Sequence, residues 1–300
     1  MDFSMPEGSD SSRAVGSRPL MVLALGGNAL SPPGHASEDY GVERRIVART
    51  ALMLNRLAAA GHRLLIVHGN GPQVGRLLRQ DPAHGNLDIH VAQTQGELGY
   101  LLTAAMDESS ICVLTRVVVG ADPGPPVKPI GPVLATPPPG AEATRSGSGW
   151  RRLVPSPRPE RVVEEAAIAR LLADYHVIAA GGGGVPLNPA GTAVEGVVDK
   201  DWAAALLAVT VAARHLVFAT DVAGVYRNPE QTQGEPIAEL GVDEARALVD
   251  AGAAMPGSMA PKLESAAEFA TATGRTAHIC ALDRIEAALA GRAGTRVRAG

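Results

Sequence analysis

The chain of 300 residues is 46% hydrophobic and 19% charged, enough apolar material for a sizeable core. Its net charge of −4 comes without a long basic run, which argues against a nucleic-acid surface. No apolar run approaches the ~20 residues of a membrane helix, and the opening MDFSMPEGSDSSRAVGSRPL lacks the apolar core of an export signal, so a cytoplasmic protein is expected.

Residues 1–18 read as a polar, disordered tail. PLMVLALGGNAL is a continuous apolar run closed by glycines, the pattern of a strand buried on both faces. A helix is predicted over Tyr40 to Ala60, with Ile46, Met53, Leu54 and Leu57 on one stripe and Gly61 at its end. RLLIVHGNGPQVGRLL reads as strand, glycine turn and helix, with Pro72 in the first helical turn. HVAQTQGELGYLLTAAM is a further helix and ICVLTRVVVG a further strand.

After a proline-rich middle come a helix over Glu160 to Asp174, with Ile168, Leu171, Leu172 and Tyr175 on one face, and the strand HVIAAGGGG. A helix over Asp201 to Ala213 places Trp202, Ala205, Leu206 and Val209 on one stripe. The strand HLVFATD, helices near 242–251 and 258–272, and the strand TAHICAL complete the chain. Strands alternating with helices predict a mostly parallel sheet covered on both faces, as one large α/β unit or two domains. Ligands of such sheets sit beyond the carboxyl ends of the strands. Residues 121–159 hold nearly half of the 23 prolines and are too long for an ordinary connection, so they read as a small projecting flap. Cys112 and Cys280 lie in apolar strand-like runs and read as buried free thiols; the eight histidines lack ligand-like spacing, which argues against a zinc site.

The basic residues are unevenly chosen. Of 27, only Lys128, Lys200 and Lys262 are lysine. Lysine is a compact, mobile point charge, whereas arginine presents a wide planar fork. Lys128 sits among prolines in PVKPIGP. Lys200 lies between Asp199 and Asp201, one of which is also a candidate helix cap. Lys262 falls in the first turns of a helix, where a cation opposes the helix dipole unless an anion is near. Gly26, Gly27 and Asn28 follow the first strand, and Gly69, Asn70 and Gly71 the second. Such loops serve tight turning, or let backbone N–H groups approach an anion. The spacing of GNGPQVG does not match the dinucleotide fingerprint, Asp88 comes too soon for its acidic partner, and no P-loop is present. Two glycine loops and three constrained lysines together point to phosphoryl transfer, which needs charge placed around the transferring group.

The motifs LALGGNAL, HGNGPQVG, AQTQGELGY, TRVVV, PVKPIGP, GWRRLVPSPRP, GGGGVP, VVDKD, ATDVAGVY and GSMAPK occur in that order over residues 20–299. In this the chain resembles the carbamate kinases of the amino-acid kinase superfamily. The resemblance implies a three-layer αβα sandwich with a mostly parallel central sheet plus a small projecting subdomain. It divides a single domain, 19–300, into a carbamate or carbamoyl phosphate lobe (19–180, with the flap 121–159) and a nucleotide lobe (181–300). It also implies a homodimer, the cofactors ATP or ADP, and Mg²⁺ held mainly by the nucleotide's phosphates. By resemblance, Gly26, Gly27, Asn28, Gly69, Asn70 and Gly71 hold carbamoyl and phosphoryl oxygens, and Lys128 reaches from the flap onto carbamoyl phosphate. Lys200 and Lys262 flank the transferring group, Asp201 orients them, and Thr220, Asp221, Val222, Tyr226, Gly257 and Ser258 line the nucleotide site. The implied reaction is ATP + carbamate ⇌ ADP + carbamoyl phosphate, with ATP made during arginine or related nitrogen breakdown. Alternatives are an acetylglutamate-type kinase, a non-catalytic carbamoyl phosphate or nucleotide sensor, and a dinucleotide oxidoreductase. Two departures stand out: a short, proline-rich segment between KPIGP and GWRR, and Ala260 where the family more often has glycine.

Overall fold

The computed structural model describes residues 18–31, 39–80, 86–138, 140–227, 234–252 and 259–299; all but the last residue of the expected tail lie outside them. In chain order the first half contains β1 (Leu20–Leu25), α1 (Tyr40–Ala59), β2 (Arg63–His68), α2 (Gly71–Gln80), α3 (Leu87–Ala105), β3 (Ser110–Cys112) and β4 (Arg116–Val119). The middle contains β5 (Pro126–Leu134), β6 (Ala143–Ser146), β7 (Gly149–Pro155), β8 (Pro159–Val162), α4 (Glu165–Leu171), β9 (His176–Ile178) and β10 (Val185–Leu187). The remainder contains α5 (Lys200–Thr210), β11 (His215–Thr220), β12 (Glu239–Gly241), α6 (Val242–Asp250), α7 (Met259–Thr273), β13 (Ala277–Ala281), α8 (Ile285–Leu289) and β14 (Thr295–Arg298).

Eight strands form one sheet in the order β12-β14-β13-β11-β1-β2-β9-β3. All its pairings are parallel except β13 with β14. Alternation along β1 separates the two faces. Val22 and Ala24 join the cluster under α4, α5 and α7, whereas Met21, Leu23 and Leu25 join the one under α1, α3 and α8. The fold is the expected helix–sheet–helix sandwich. The pairing of β1 with β11 carries the sheet without a break from its first-half strands to its second-half strands. Two small sheets sit beside it, β10-β4-β8 and the antiparallel β5-β7-β6. The latter is the projecting flap, seated over Val74, Val91 and Val185 through Ile130 and Val154. No helix among the described residues is long and apolar enough to cross a membrane. Both thiols are free, and burial pushes Cys112 up to about 11 and Cys280 up to about 12.

Several expectations need correction. ICVLTRVVV is two strands in different sheets, because the Gln95 side chain binds both the N–H and the C=O of Thr115 and turns the chain between them. The helix expected over Glu160 to Asp174 starts only at Glu165, since Pro159–Val162 pairs with β4 instead. On α1 the core face centres on Val47, Leu54, Leu57 and Ala58, with Ile46 and Met53 at its flank. On α5 the buried stripe is turned by roughly half a turn from the expected one. Ala203, Ala204, Leu207 and Ala208 face the core, and Trp202, Leu206 and Val209 line an outer groove with Pro159 and Phe269. Small residues win the inner face because α5 packs closely on α7 and the sheet. The strands β10, β12 and β14 and the helix α8 were not anticipated; they are too short to show a period.

A buried charge network fixes α2. Arg76, 2% exposed, reaches Glu43 of α1 (3.2 Å) and Glu97 of α3, and its guanidinium lies 4.7 Å over the Tyr40 ring. Burial raises the Glu43 carboxyl despite Arg76 beside it. Arg76→Leu leaves that carboxylate uncompensated and is expected to cost about 3–5 kcal/mol in denaturant unfolding.

Three histidines cluster near the amino ends of β2, β11 and β13: the His215 ring centroid lies 6.0 Å from that of His62, at a T-shaped angle, and 6.0 Å from that of His278. Burial, then neighbouring histidine and arginine charges, lower His215 and His278 to about 4 from 6.5. The unfolded chain therefore takes up more protons than the folded one below 6.5. Their contribution to stability is whole above pH 6.5 and lost as pH falls toward 4. Melting temperature should fall over that window, and His215→Gln should flatten the fall.

Candidate active site

The first two parallel strands end side by side, and the loops that follow touch backbone to backbone. A Cβ on Gly69 would lie 3.2 Å from the Gly27 nitrogen and 3.5 Å from Lys200 Cδ. Beyond these strand ends lies a cavity of about 420 Å³ lined by Gly27, Gly69, Asn70, Gly71, Lys128, Arg151, Gly182, Asp199, Lys200, Asp201 and Lys262, among others. Helices α2 and α5 both begin at this cavity, so the positive ends of their dipoles lie beside it. The GGGG run closes its floor. Gly182 has φ +66°, and a Cβ there would meet the Asn70 side chain at 2.2 Å, so only glycine fits. Asn70 is in turn held by its amide donating to Thr94 Oγ1, 2.8 Å.

The three lysines converge here on two aspartates. Lys128 Nζ, from β5 of the flap, donates to Asp199 Oδ2 at 2.9 Å. Lys200 Nζ donates to Asp201 Oδ1 (2.9 Å), and Lys262 Nζ to Asp201 Oδ2 (3.1 Å). Asp199 is also the N-cap of α5, its Oδ1 accepting from the Asp201 N–H at 2.9 Å. Capping and charge pairing, which look like alternatives in the sequence, are served by the two oxygens of one carboxylate.

Burial alone would raise the Asp199 carboxyl, but the charges of Lys128 and Lys200 outweigh it and hold it well below the usual carboxylate range. For Lys200, burial is outweighed by Asp201 and Asp199, so its ammonium is held more tightly than an ordinary one. Lys262 is lowered, by burial and by the charge of Lys200, although Asp201 opposes the change. His68, fully buried beneath the second glycine loop, is pushed by burial down to about 4 and is neutral; its Nδ1 donates to the Gly69 carbonyl at 3.1 Å.

Residues 19–281 match the model of the amino acid kinase family. The chain belongs to the amino acid kinase family. Within it, the chain is 41% identical to a carbamate kinase of Escherichia coli O6:H1, covering 92% of this chain and 98% of that one. A carbamate kinase of Halobacterium salinarum is 38% identical, covering 92% and 97%. The solved structure of Giardia lamblia carbamate kinase bound to AMP-PNP superposes with a TM-score of 0.83 at 32% identity, covering 94% of this chain and 99% of that one.

Placed in this amino acid kinase, the sequence-predicted residues divide into four groups. Lys128, Lys200, Asp201, Lys262, Gly27, Gly69, Asn70 and Gly71 line the one cavity. Asn28 lines an adjoining cavity under the flap, and Gly26 lies behind both loops with its N–H bound to the Ala219 carbonyl at 3.3 Å. Thr220 ends β11 and Asp221 follows, its Oδ2 accepting from the Asn28 amide at 2.6 Å; Val222 and Tyr226 are half-buried on the next loop. These four are not among the residues lining either cavity. Gly257 and Ser258 lie outside the described residues. The sequence reads Asp199 as one of two carboxylates flanking Lys200 and as a candidate cap; its pairing with Lys128, 71 positions away, is what that reading missed. Arg151, in the GWRR motif, also lines the cavity and is a residue the sequence reading did not assign to the site.

Lys200→Arg keeps the charge but widens it beside Gly69. It is expected to lower turnover about 10²–10³-fold with a melting temperature within about 3 °C of the parent. Arg170→Lys on exposed α4 should be silent in the same assay. Asp201→Asn removes the carboxylate between Lys200 and Lys262 and should lose turnover on the same scale.

Proposed function

We propose that the chain catalyses reversible phosphoryl transfer, ATP + carbamate ⇌ ADP + carbamoyl phosphate. The observation that carries this reading is the meeting of three lysines, separated by up to 134 positions, in one cavity between two glycine loops. Relatives named carbamate kinase along most of the chain support the choice of substrate. In the forward direction a carbamate oxygen forms the new bond to the γ-phosphorus as the bridging oxygen leaves with ADP. Carbamate is already an anion, so no general base is needed, consistent with a neutral, buried His68. The work is alignment and electrostatic stabilisation. Lys200 and Lys262 flank the transferring group with Asp201 between them, the N–H groups of Gly27, Asn70 and Gly71 receive oxygens, and Lys128 bears on the acyl end.

ATP or ADP would enter from the side of Thr220, Asp221, Val222, Tyr226, Gly257 and Ser258. A Mg²⁺ ion would ride on the nucleotide's phosphates. Asp199, Asp201 and Asp221 are engaged by lysine or amide donors, and no cluster of three or more ligand-type side chains occurs among the described residues. When bound, it neutralises phosphate charge. A homodimer, a cytoplasmic setting and ATP synthesis in nitrogen breakdown complete the proposal. An acetylglutamate-type reaction is less well supported: an N-acetylglutamate synthase of Neisseria gonorrhoeae shares the fold at 17% identity and a TM-score of 0.57.

The test is ATP formation from ADP and carbamoyl phosphate, set against ATP consumption with N-acetylglutamate. Activity only with the latter would overturn the reading. The flap, 121–159, is proposed to close over the carbamoyl site. Pro126 and Pro155 are partners in register, so a short turn can replace residues 127–154. This excision should raise KM for carbamoyl phosphate on the order of 100-fold through lost alignment, with KM for ADP little changed.

A further inference from the structure

The cavity's cations and carboxylates do not balance. Lys128, Lys200, Lys262 and Arg151 face it, against Asp199 and Asp201. The three lysines are all engaged by those two carboxylates. Arg151 is not. Its one hydrogen bond among the described residues runs from Nε to the Gly131 carbonyl, 3.1 Å, and no carboxylate there pairs with it. The next residue on β7, Arg152, points the other way and pairs with Glu195 at 2.9 Å. The Arg151 anchor is itself firm. Gly131 has φ +72° at an irregularity of β5, and its backbone lies against Gly75 of α2, 3.5 Å from where a Cβ would stand. With Nε spent on that carbonyl, the two Nη groups remain as a donor fork. Arg151 lines both the cavity that holds the three lysines and the adjoining one of about 550 Å³, so its side chain borders the two.

We infer that Arg151 is a further substrate-binding residue, contacting the acyl end of the substrate through its Nη fork; this rests on the proposed function. A planar guanidinium matches two carboxylate oxygens of carbamate. In the reverse direction it serves the carbonyl oxygen and a phosphate oxygen of carbamoyl phosphate. The excess of two positive charges over the two carboxylates suits a dianionic acyl phosphate. A half-buried guanidinium without a counter-ion is costly in the empty protein, and the incoming anion relieves that cost. Because Arg151 rides on the flap strand β7 and Lys128 on β5, the acyl end would be gripped from two neighbouring strands.

The experiment is steady-state kinetics of ATP formation for the parent, Arg151→Gln and Arg151→Lys, varying carbamoyl phosphate and ADP separately, with melting temperatures recorded. Arg151→Gln should raise KM for carbamoyl phosphate roughly 10–100-fold, the worth of a hydrogen bond to a charged group, with KM for ADP within about twofold. Arg151→Lys, which keeps the charge and loses the fork, should fall between. An unchanged KM for carbamoyl phosphate in an active, folded Arg151→Gln enzyme would remove Arg151 and leave the proposed function standing. So would parallel rises in both KM values. If Arg151→Gln melts early, Arg151→Lys decides: a lysine variant equal to the parent would overturn the role of the fork. A parent that makes no ATP would overturn the function and this ligand together.

Discussion

One carboxylate, Asp201, holds two lysines that would otherwise repel each other. It is 2% exposed, and Lys262 beside it is 4% exposed. Burial disfavours the charged form of both ammoniums, and Asp201 opposes that effect for each. Their position depends on Asp201, and Asp201 depends on the start of α5, which Asp199 caps. Asp199 then anchors Lys128, so the helix cap is also where the flap meets the body. A few hydrogen bonds at one helix terminus thereby join three distant parts of the chain.

The scaffold beneath is arranged to keep that terminus still. The parallel strands deliver both glycine loops to one edge of the sheet, where α2 and α5 begin. The alanine-rich inner face of α5 brings it close to α7, which carries Lys262. At the other side of these two helices Arg158 lies 4.5 Å over the Trp202 ring and pairs with Glu264 and Glu268 of α7, so the segment between β7 and β8 is tied to both lysine-bearing helices. The Arg76 network does the same for α2. Buried Arg76 and exposed Arg158 hold elements together, and the three lysines are kept for the cavity, which is a division of labour their shapes favour.

Much of the site was legible because its signals are local. A glycine run after an apolar strand, a lysine flanked by aspartates and a lysine among prolines each mark a constrained backbone whatever the fold. Asp199 was half legible: its capping role follows from its place before a helix, its pairing with Lys128 does not, since 71 positions separate them.

By itself the sequence determined the alternation of strands and helices, the parallel sheet, the strand-end glycine loops and the choice of lysine at three positions, because periodicity and backbone freedom are properties of neighbouring residues. Tertiary structure alone decided which side of α5 faces inward, since close packing against α7 outranked the larger side chains of Trp202 and Leu206. It decided that TRVVV leaves the main sheet, because Gln95 of α3 binds the backbone at Thr115. It also decided which cations are paired, leaving Arg151 without a carboxylate while Arg152 finds Glu195. Ion pairing depends on separations of a few ångströms between residues far apart in the chain, and only the folded arrangement sets those.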